Sequence, residues 1–342
     1  MHGSTQLPGT RVAIVLVNWN GWRECIECLD SLFAQEYADF HVYLVDNASA
    51  DGSIERIAHW CEAPVRDPAW RTLPGVGSVS NRLPPESIAH RIVGPGDPAP
   101  APSDRRLTLL HSGANRGFAG GCNFGVQAAG LAHFDHFWFL NPDTVVDRAA
   151  LSELIARARR DPATGLVGST LLYYDRPQVV QALGGARLDP SNGSSRHIGQ
   201  LLGADRVPAD GADVERDMAY VVGASMLASA EFIRRIGPMQ EDYFLYYEEI
   251  DWAMRARGRF TLGYAPGSRV FHKAGTNSSK VVPRSSARFY YGNRLRFVRR
   301  FLPDRLGAAR RSLWLEMLRH AVRGRWALAR VVGAVLISVR KS

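Results

Sequence analysis

The sequence predicts an α/β fold, a doubly wound and mostly parallel sheet with its ligand site at the carboxyl ends of the strands. Three observations carry this. RVAIVLVN (11–18) and HVYLVD (41–46) are short β-rich apolar runs on either side of a segment with helical spacing, the opening of a strand–helix–strand unit. Each run ends in a polar turn. Finally, FWFL (137–140) is an unbroken aromatic and aliphatic run, which fits a strand buried on both faces.

The elements follow in order. Asn18-Trp19-Asn20-Gly21 closes the first strand, and Cys25, Cys28, Leu29 and Leu32 then recur at helical spacing. Asp46 closes the second strand. Residues 62–106 hold many of the prolines and no sustained periodicity, so they read as a long surface insertion, partly disordered. A short strand (107–111) leads to Asn115-Arg116-Gly117-Phe118-Ala119-Gly120-Gly121 and a helix starting near Cys122 or Asn123. Glycines ahead of a helix N-terminus let backbone N–H groups approach an anion. The spacing is not G-x-G-x-x-G and does not follow the first strand, which argues against a dinucleotide dehydrogenase.

The central strand stops at Asn141-Pro142-Asp143-Thr144, because proline cannot donate to a ladder. Asp143 emerges at its carboxyl end, where open α/β sheets bind ligands. Alone, this turn also fits a structural cap, with Asp143 or Thr144 starting the next helix. A helix over 148–160, a strand over 165–174, a polar loop or hairpin region over 175–217 and a strand-to-helix unit over 219–237 follow. Glu248, Glu249 and Asp251 open a helix after an aromatic run, with Arg255 and Arg257 beyond them, the charge order a helix dipole favours. Glu249 and Asp251 lie about 200° apart around that helix, so one is functional and the other positional. A strand ending at His272 precedes a loop of small residues.

Composition bounds the class. The chain has 342 residues, 46% hydrophobic and 22% charged, enough for one large domain with or without an appendage. Four cysteines are too few for a disulfide framework and fit a reducing, cytoplasmic setting; Cys25-x-x-Cys28 lies inside an apolar helical pattern, which favours packing over redox chemistry. No secretory signal and no spanning apolar run is visible. The net charge of +9 is uneven: residues 284–342 hold 15 Lys or Arg against two acids, a net +13, leaving −4 for the rest. The expected organisation is a catalytic body over 1–283 and a basic, amphipathic helical tail over 284–342.

Taken together, VAIVLVNWNGW, YLVDNASADGS, NRGFAGGCNFG, FLNPDTVVD, VVGASML, YFLYYEEIDWAMRARG and FHKAG resemble the family-2 glycosyltransferases, in particular their bacterial rhamnosyltransferase-like branch. They occur in family order across about residues 11–295, the insertion excepted. The resemblance implies a GT-A fold and an inverting hexosyl transfer from a nucleotide-diphosphate sugar. It implies that Asn18, Asn20 and Asp46 lie at the nucleoside, and Asn115, Arg116, Gly117 and Asn123 at the nucleotide and diphosphate. Asn141 and Asp143 take the place of the family's D-x-D, with Asp143 a metal carboxylate and His272 a second metal or diphosphate contact. Where the family has a Glu-Asp pair this chain has Glu248-Glu249, which implies Glu249 as base, with Asp251 beside it. Tyr290-to-Phe297 (YYGNRLRF) is similar to the family's tyrosine and arginine segment.

The chemistry fits these residue types. A departing sugar diphosphate develops negative charge that Mg²⁺ or Mn²⁺ with oxygen ligands neutralises, and a histidine ligand tilts the choice to Mn²⁺. Inverting displacement needs one carboxylate to accept the acceptor's hydroxyl proton. The expected acceptor is a glycan or lipid-linked precursor of cell-surface polysaccharide. Aromatic and aliphatic residues of the tail, among them Trp314, Leu318 and Trp326, alternate with arginines and predict peripheral attachment to anionic lipid at the inner face of the plasma membrane. No nucleic-acid-reading motif accompanies the basic tail. A nucleotidyltransferase and a non-catalytic sugar-nucleotide-binding assembly protein are the alternative classes; the first calls for more basic residues at the phosphate loop than Arg116, and intact Asp143, Glu249 and His272 argue against the second.

Overall fold

A computed structural model describes residues 9–63, 87–95, 97, 106–273 and 284–338. The chain opens with β1 (Val12–Asn18), α1 (Trp22–Phe33), β2 (Phe40–Asp46) and α2 (Ser53–Glu62). It continues through β3 (His90–Val93), β4 (Leu107–His111), α3 (Gly117–Ala129), β5 (His136–Leu140), β6 (Thr144–Val146) and α4 (Ala150–Arg160). A strand-rich stretch follows: β7 (Thr164–Tyr173), β8 (Arg176–Leu183), β9 (Gly185–Leu188) and β10 (Ser195–His197). Then come α5 (Ala212–Asp217), β11 (Tyr220–Val221), β12 (Ser225–Ser229), α6 (Ala230–Ile236), α7 (Glu248–Ala256) and β13 (Thr261–His272). Three helices end the described chain: α8 (Arg284–Phe301), α9 (Leu306–Val322) and α10 (Trp326–Ser338).

The main sheet runs β3-β4-β2-β1-β5-β12-β7-β13-β6, with β8 paired to β7. Its first five strands are parallel; β12 lies antiparallel to both β5 and β7. This is the mixed α/β, GT-A-like architecture. Unbroken apolar strands are explained by burial on both faces. Ala13, Val15, Tyr43, Phe137 and Phe139 point into a core with α3, α6 and α7, while Val12, Ile14, Leu44, Trp138 and Leu140 point into one with α1, α2 and α4. The chain leaves β1 for β2 on one side and reaches β5 on the other, so a topological switch point lies at the carboxyl ends of β1 and β5.

Three expectations change. Within 62–106, residues 90–93 form an edge strand parallel to β4, because His90–Val93 meets Leu107–Leu110 in register; 64–86, 96 and 98–105 lie outside the described residues. Thr144 starts the short strand β6, paired to the end of β13, rather than a helix. The third is a refinement: the loop or hairpin region over 175–217 takes its hairpin form, with β8 antiparallel to β7 and β10 antiparallel to β9.

The tail is helical but is not a detached appendage. Ala287, Tyr291, Leu295, Phe297 and Val298 of α8 pack with Tyr243, Tyr247, Ile250 and Ala253 in a third core, closed by Leu313, Leu328 and Val332 of α9 and α10. Arg294, 1% exposed, donates to Asn192 and to Glu316, tying α8 to both the body and α9. Phe297 and Tyr290, expected to face lipid, are occupied by this packing: Phe297 is buried and Tyr290 meets Tyr246 and Tyr247 edge-on or tilted. What remains on the surface is the α9 stripe Trp314, Leu315, Leu318 and Val322, with Trp326 and Ile337 on α10. Among the described residues, no helix is long and apolar enough to cross a membrane.

Candidate active site

Asn18 and Asp46 are register partners at the ends of β1 and β2. The buried Asn18 amide donates to Asp46 Oδ1 at 2.8 Å and to Ser49 Oγ at 3.1 Å, while Asp46 Oδ2 accepts the Ser49 N–H at 3.0 Å. Asn20 adopts φ +55° and its side chain accepts the Ala50 N–H at 2.8 Å, so the two turns brace each other. Cys25 donates to Asn18 Oδ1, and burial pushes its thiol and that of Cys28 up, Cys28 to about 12. All four cysteines are free and buried, as packing residues rather than a redox pair.

Asn47, which the sequence reading passed over, couples this turn to the glycine loop: its amide donates to the Gly117 carbonyl at 2.8 Å. Asn115 Oδ1 accepts the Gly117 N–H at 3.0 Å. Gly117 has φ +69°, and a Cβ there would lie 2.2 Å from the Phe244 carbonyl oxygen, so glycine is required twice over. The exposed Arg116 rests over Phe124, 5.1 Å from the ring centroid. Asn123 departs from expectation. Its side chain exchanges hydrogen bonds with Met239 and donates to Glu241, so it anchors the 239–241 loop and has no donor left for a diphosphate.

On the far side of the switch point, β5 ends in the Asn-Pro-Asp turn. His272, at the end of β13, reaches it: Nε2 lies 3.3 Å from Asp143 Oδ1 and 3.5 Å from Asn141 Nδ2. Its Nδ1 lies 2.9 Å from Gln181 Oε1. A carboxamide oxygen only accepts, so Nδ1 carries a hydrogen and Nε2 is the atom turned to the carboxylate. Asp143 Oδ1 and His272 Nε2 are thus close enough to share a cation, a proton or a metal ion. Partial burial works against charge on Asp143, but the imidazole beside it and Lys273 outweigh that and hold its carboxyl below the usual range. Lys273 in turn pairs with Glu27 at 2.5 Å. A divalent ion fits this pair of ligands, provided that a ligand such as a diphosphate supplies most of its coordination. Among the described residues, no group of three or more His, Cys, Asp or Glu could hold one alone.

The candidate base sits across one short turn. The Asn141 N–H donates to the Ala224 carbonyl at 3.0 Å, and next to it a Cβ at Gly223 would lie 4.0 Å from the Glu249 carboxyl carbon. Residues 222–224 thus lie between the Asn-Pro-Asp turn and the glutamates. Glu248 is buried and Glu249 half-buried, and each has a buried Oε2 with no hydrogen-bond partner. Burial raises Glu249 to about 7, and burial plus the neighbouring Glu249 raises Glu248 well above its ordinary value. Two adjacent buried carboxyls titrate as a pair, one keeping its proton into the neutral range. Asp251, by contrast, is fully buried and fully partnered: it pairs with Arg255 and Arg300 at 2.8 Å each and accepts from the Tyr243 hydroxyl. That is the positional member of the pair.

The segment before the glutamates is strained. Phe244, Tyr246 and Tyr247 have φ of +62°, +69° and +76°, at a cost of about 1–3 kcal/mol each. Such a turn persists only if its surroundings fix it. Asn293 of α8 does so, its buried amide donating to the carbonyls of Tyr243, Leu245 and Tyr246 at 2.7, 2.8 and 3.0 Å. The Phe244 carbonyl accepts the Phe118 N–H at 2.7 Å, so the same turn seats both the glycine loop and the base helix.

Residues 97–183 match Glycosyl transferase family 2. The chain is similar to the low-salt glycan biosynthesis hexosyltransferase Agl10 of Haloferax volcanii, 24% identical over 152 residues, 44% of this chain and 46% of that protein. The alignment thus spans about half of that relative. Among solved structures it resembles the mannosyltransferase PcManGT of Pyrobaculum calidifontis, solved with GDP-Man and Mn²⁺. That likeness has 16% identity over 97% of this chain and 75% of the other, with TM-score 0.52. TarS 1–349 of S. aureus, solved with UDP-GlcNAc, is similar at 12% identity over 97% and 92% of the chains, with TM-score 0.47. The family match, the hexosyltransferase relative and the shared fold support the class that the seven motifs implied, a family-2 glycosyltransferase.

Proposed function

We propose that the protein is an inverting glycosyltransferase that moves a hexosyl group from a nucleotide-diphosphate sugar to a glycan or lipid-linked acceptor. The observation that carries this is the placement of two unlike acidic turns, Asn141–Asp143 with His272 and Glu248–Glu249, on either side of residues 222–224 at the switch point. Asn18, Asp46 and Asn115–Gly117 supply the donor side. Asp143 and His272 would hold Mn²⁺ or Mg²⁺, which when bound offsets the charge of the departing diphosphate. Glu249 accepts the acceptor's hydroxyl proton as that oxygen forms its bond to the anomeric carbon; the bond from that carbon to the diphosphate breaks, and its electron pair leaves with the nucleoside diphosphate. A pKa near neutrality suits this exchange.

Rhamnose, or a related sugar destined for cell-surface polysaccharide, is the donor sugar we favour, on the motif resemblance alone. Donors bound by structures of the same fold include GDP-Man, which motivates a wide test. Purified protein titrated with UDP-, GDP- and dTDP-sugars in Mn²⁺ will bind one class preferentially; no binding to any would remove this reading.

We also place the protein at the cytoplasmic face of the plasma membrane. Free buried cysteines fit a reducing compartment. On α9, Trp314, Leu315, Leu318 and Val322 share one exposed face with Arg311 and Arg319, an arrangement suited to an anionic headgroup layer. Each engaged arginine contributes on the order of 1 kcal/mol. Because α8 is part of the fold, the test is substitution rather than truncation. Trp314→Ser with Leu318→Ser should abolish salt-sensitive co-sedimentation with anionic vesicles; binding unchanged by the pair would refute the attachment.

A further inference from the structure

We infer that a second anion site lies between α8 and the end of α10 and takes a phosphate group. A pocket of about 400 Å³ there is lined by Arg288, Arg296 and Arg299, with Asp242, Gly292 and Ser338; the one carboxylate of this lining, Asp242, accepts from the Gln240 amide, and three guanidinium groups outnumber it. The three arginines stand at i, i+8 and i+11 on one face of α8. Like charges so arranged repel one another. Among the described residues no carboxylate pairs with any of them. Arg296 donates to the backbone carbonyl of Asp242, and Arg288 lies over the ring of Phe289.

Gly292 supplies the second argument. Glycine in the middle of a helix weakens it and is normally kept for a close approach or an unusual backbone. Neither applies here: a Cβ at 292 would meet nothing within 4 Å, and Gly292 is not among the residues with positive φ. Packing does not demand the glycine, so what its missing side chain does is keep the pocket open beneath three guanidinium groups. Guanidinium forks match phosphate oxygens in charge and geometry. The floor of the site is continuous with the strained turn, since Phe289 stacks on Phe244 at 4.8 Å. This inference does not depend on the transferase reading.

The probe is inorganic pyrophosphate, titrated calorimetrically into the full-length protein at low ionic strength with EDTA present, so that a divalent ion at Asp143 plays no part. Wild type is expected to bind it. Arg288→Ala with Arg299→Ala should weaken binding at least about tenfold. Gly292→Leu should weaken it similarly while leaving all charge in place and the Tm unchanged or raised. A parallel arm compares vesicles containing phosphatidic acid with phosphatidylserine vesicles of equal charge. Preference for phosphatidic acid that Gly292→Leu removes, without pyrophosphate binding, would identify a lipid phosphate as the occupant; pyrophosphate binding alone would identify a soluble one. Binding insensitive to both variants, or no binding in either arm, overturns the proposal.

Discussion

The turn at Asp143 and the turn at Glu249 lie on opposite sides of the same three residues, yet their carboxyls move in opposite directions. Asp143 is drawn below the ordinary range by His272 and Lys273, whereas Glu249 is raised to about 7 by burial. The first therefore stays charged across the physiological range, as the electrostatic anchor of the proposed function must. The second exchanges a proton near neutrality, as the base of the proposed function must. Environments that push paired acids apart in this way assign their roles. The supports differ too. The Asp143 turn has no residue at positive φ and is held by ordinary backbone bonds to Ala224 and Lys273, whereas the Glu249 turn carries three non-glycine residues at positive φ and depends on the Asn293 side chain of α8.

The largest effect should follow loss of the anchor. Asp143→Ala, or reversible EDTA treatment, should reduce transfer by at least about 10³-fold with the fold intact; comparable turnover with and without EDTA would break the comparison at its first member. Glu249→Gln should cost about 10²–10⁴-fold in kcat. Asp251→Asn should act instead on stability, since its partners Arg255, Arg300 and Tyr243 are structural.

A smaller loss is expected at the brace. Asn293→Ala removes the amide shared by three carbonyls, of which Tyr243 keeps the Leu245 N–H, and should cost about 1–3 kcal/mol of stability. By letting the base drift it should also lower kcat by about 10- to 100-fold, with KM for the donor nearly constant. A fall in stability with kcat untouched would reduce Asn293 to a scaffold residue.

The smallest effect concerns pH. Transfer needs Glu249 ionised, so kcat in wild type should rise with a midpoint near pH 7. Glu248 keeps its proton while Glu249 titrates, so Glu248→Gln exchanges one neutral group for another and the midpoint should stay near pH 7. Stability supplies a second readout. Glu248 is raised when folded, so its favourable contribution is present below the unfolded carboxyl pKa and is lost as pH rises through the folded one. Glu248→Gln should therefore be more stable than wild type on the alkaline side, and an unchanged stability profile would show that the pair is not coupled.

The sheet and its carboxyl edge were legible because buried parallel strands are uninterrupted apolar runs that end in polar turns, as at Asn18, Asp46 and Asn141. Within the site, the sequence located segments better than contacts. Asn123 sits inside a matching motif yet faces Met239, because helical phase rather than motif membership decides direction. Gln181, Asn47 and Gly223 went unnoticed because each acts through a partner distant in sequence; only the glycine in VVGASML carried a local signal. The tail misled for a related reason. Aromatic residues alternating with arginines suit lipid or a protein core equally, and only tertiary contacts show that Phe297 and Arg294 are buried while Trp314 is not.

Donor binding measured side by side in Asp143→Ala and Glu249→Gln, against wild type and in the presence of Mn²⁺, tests the division of roles most directly. Glu249→Gln is expected to bind donor within about twofold of wild type while its turnover collapses, as removal of a group acting only in the transition state requires. Asp143→Ala is expected to lose both. Donor affinity lost with Glu249 and retained without Asp143 would contradict the assignment.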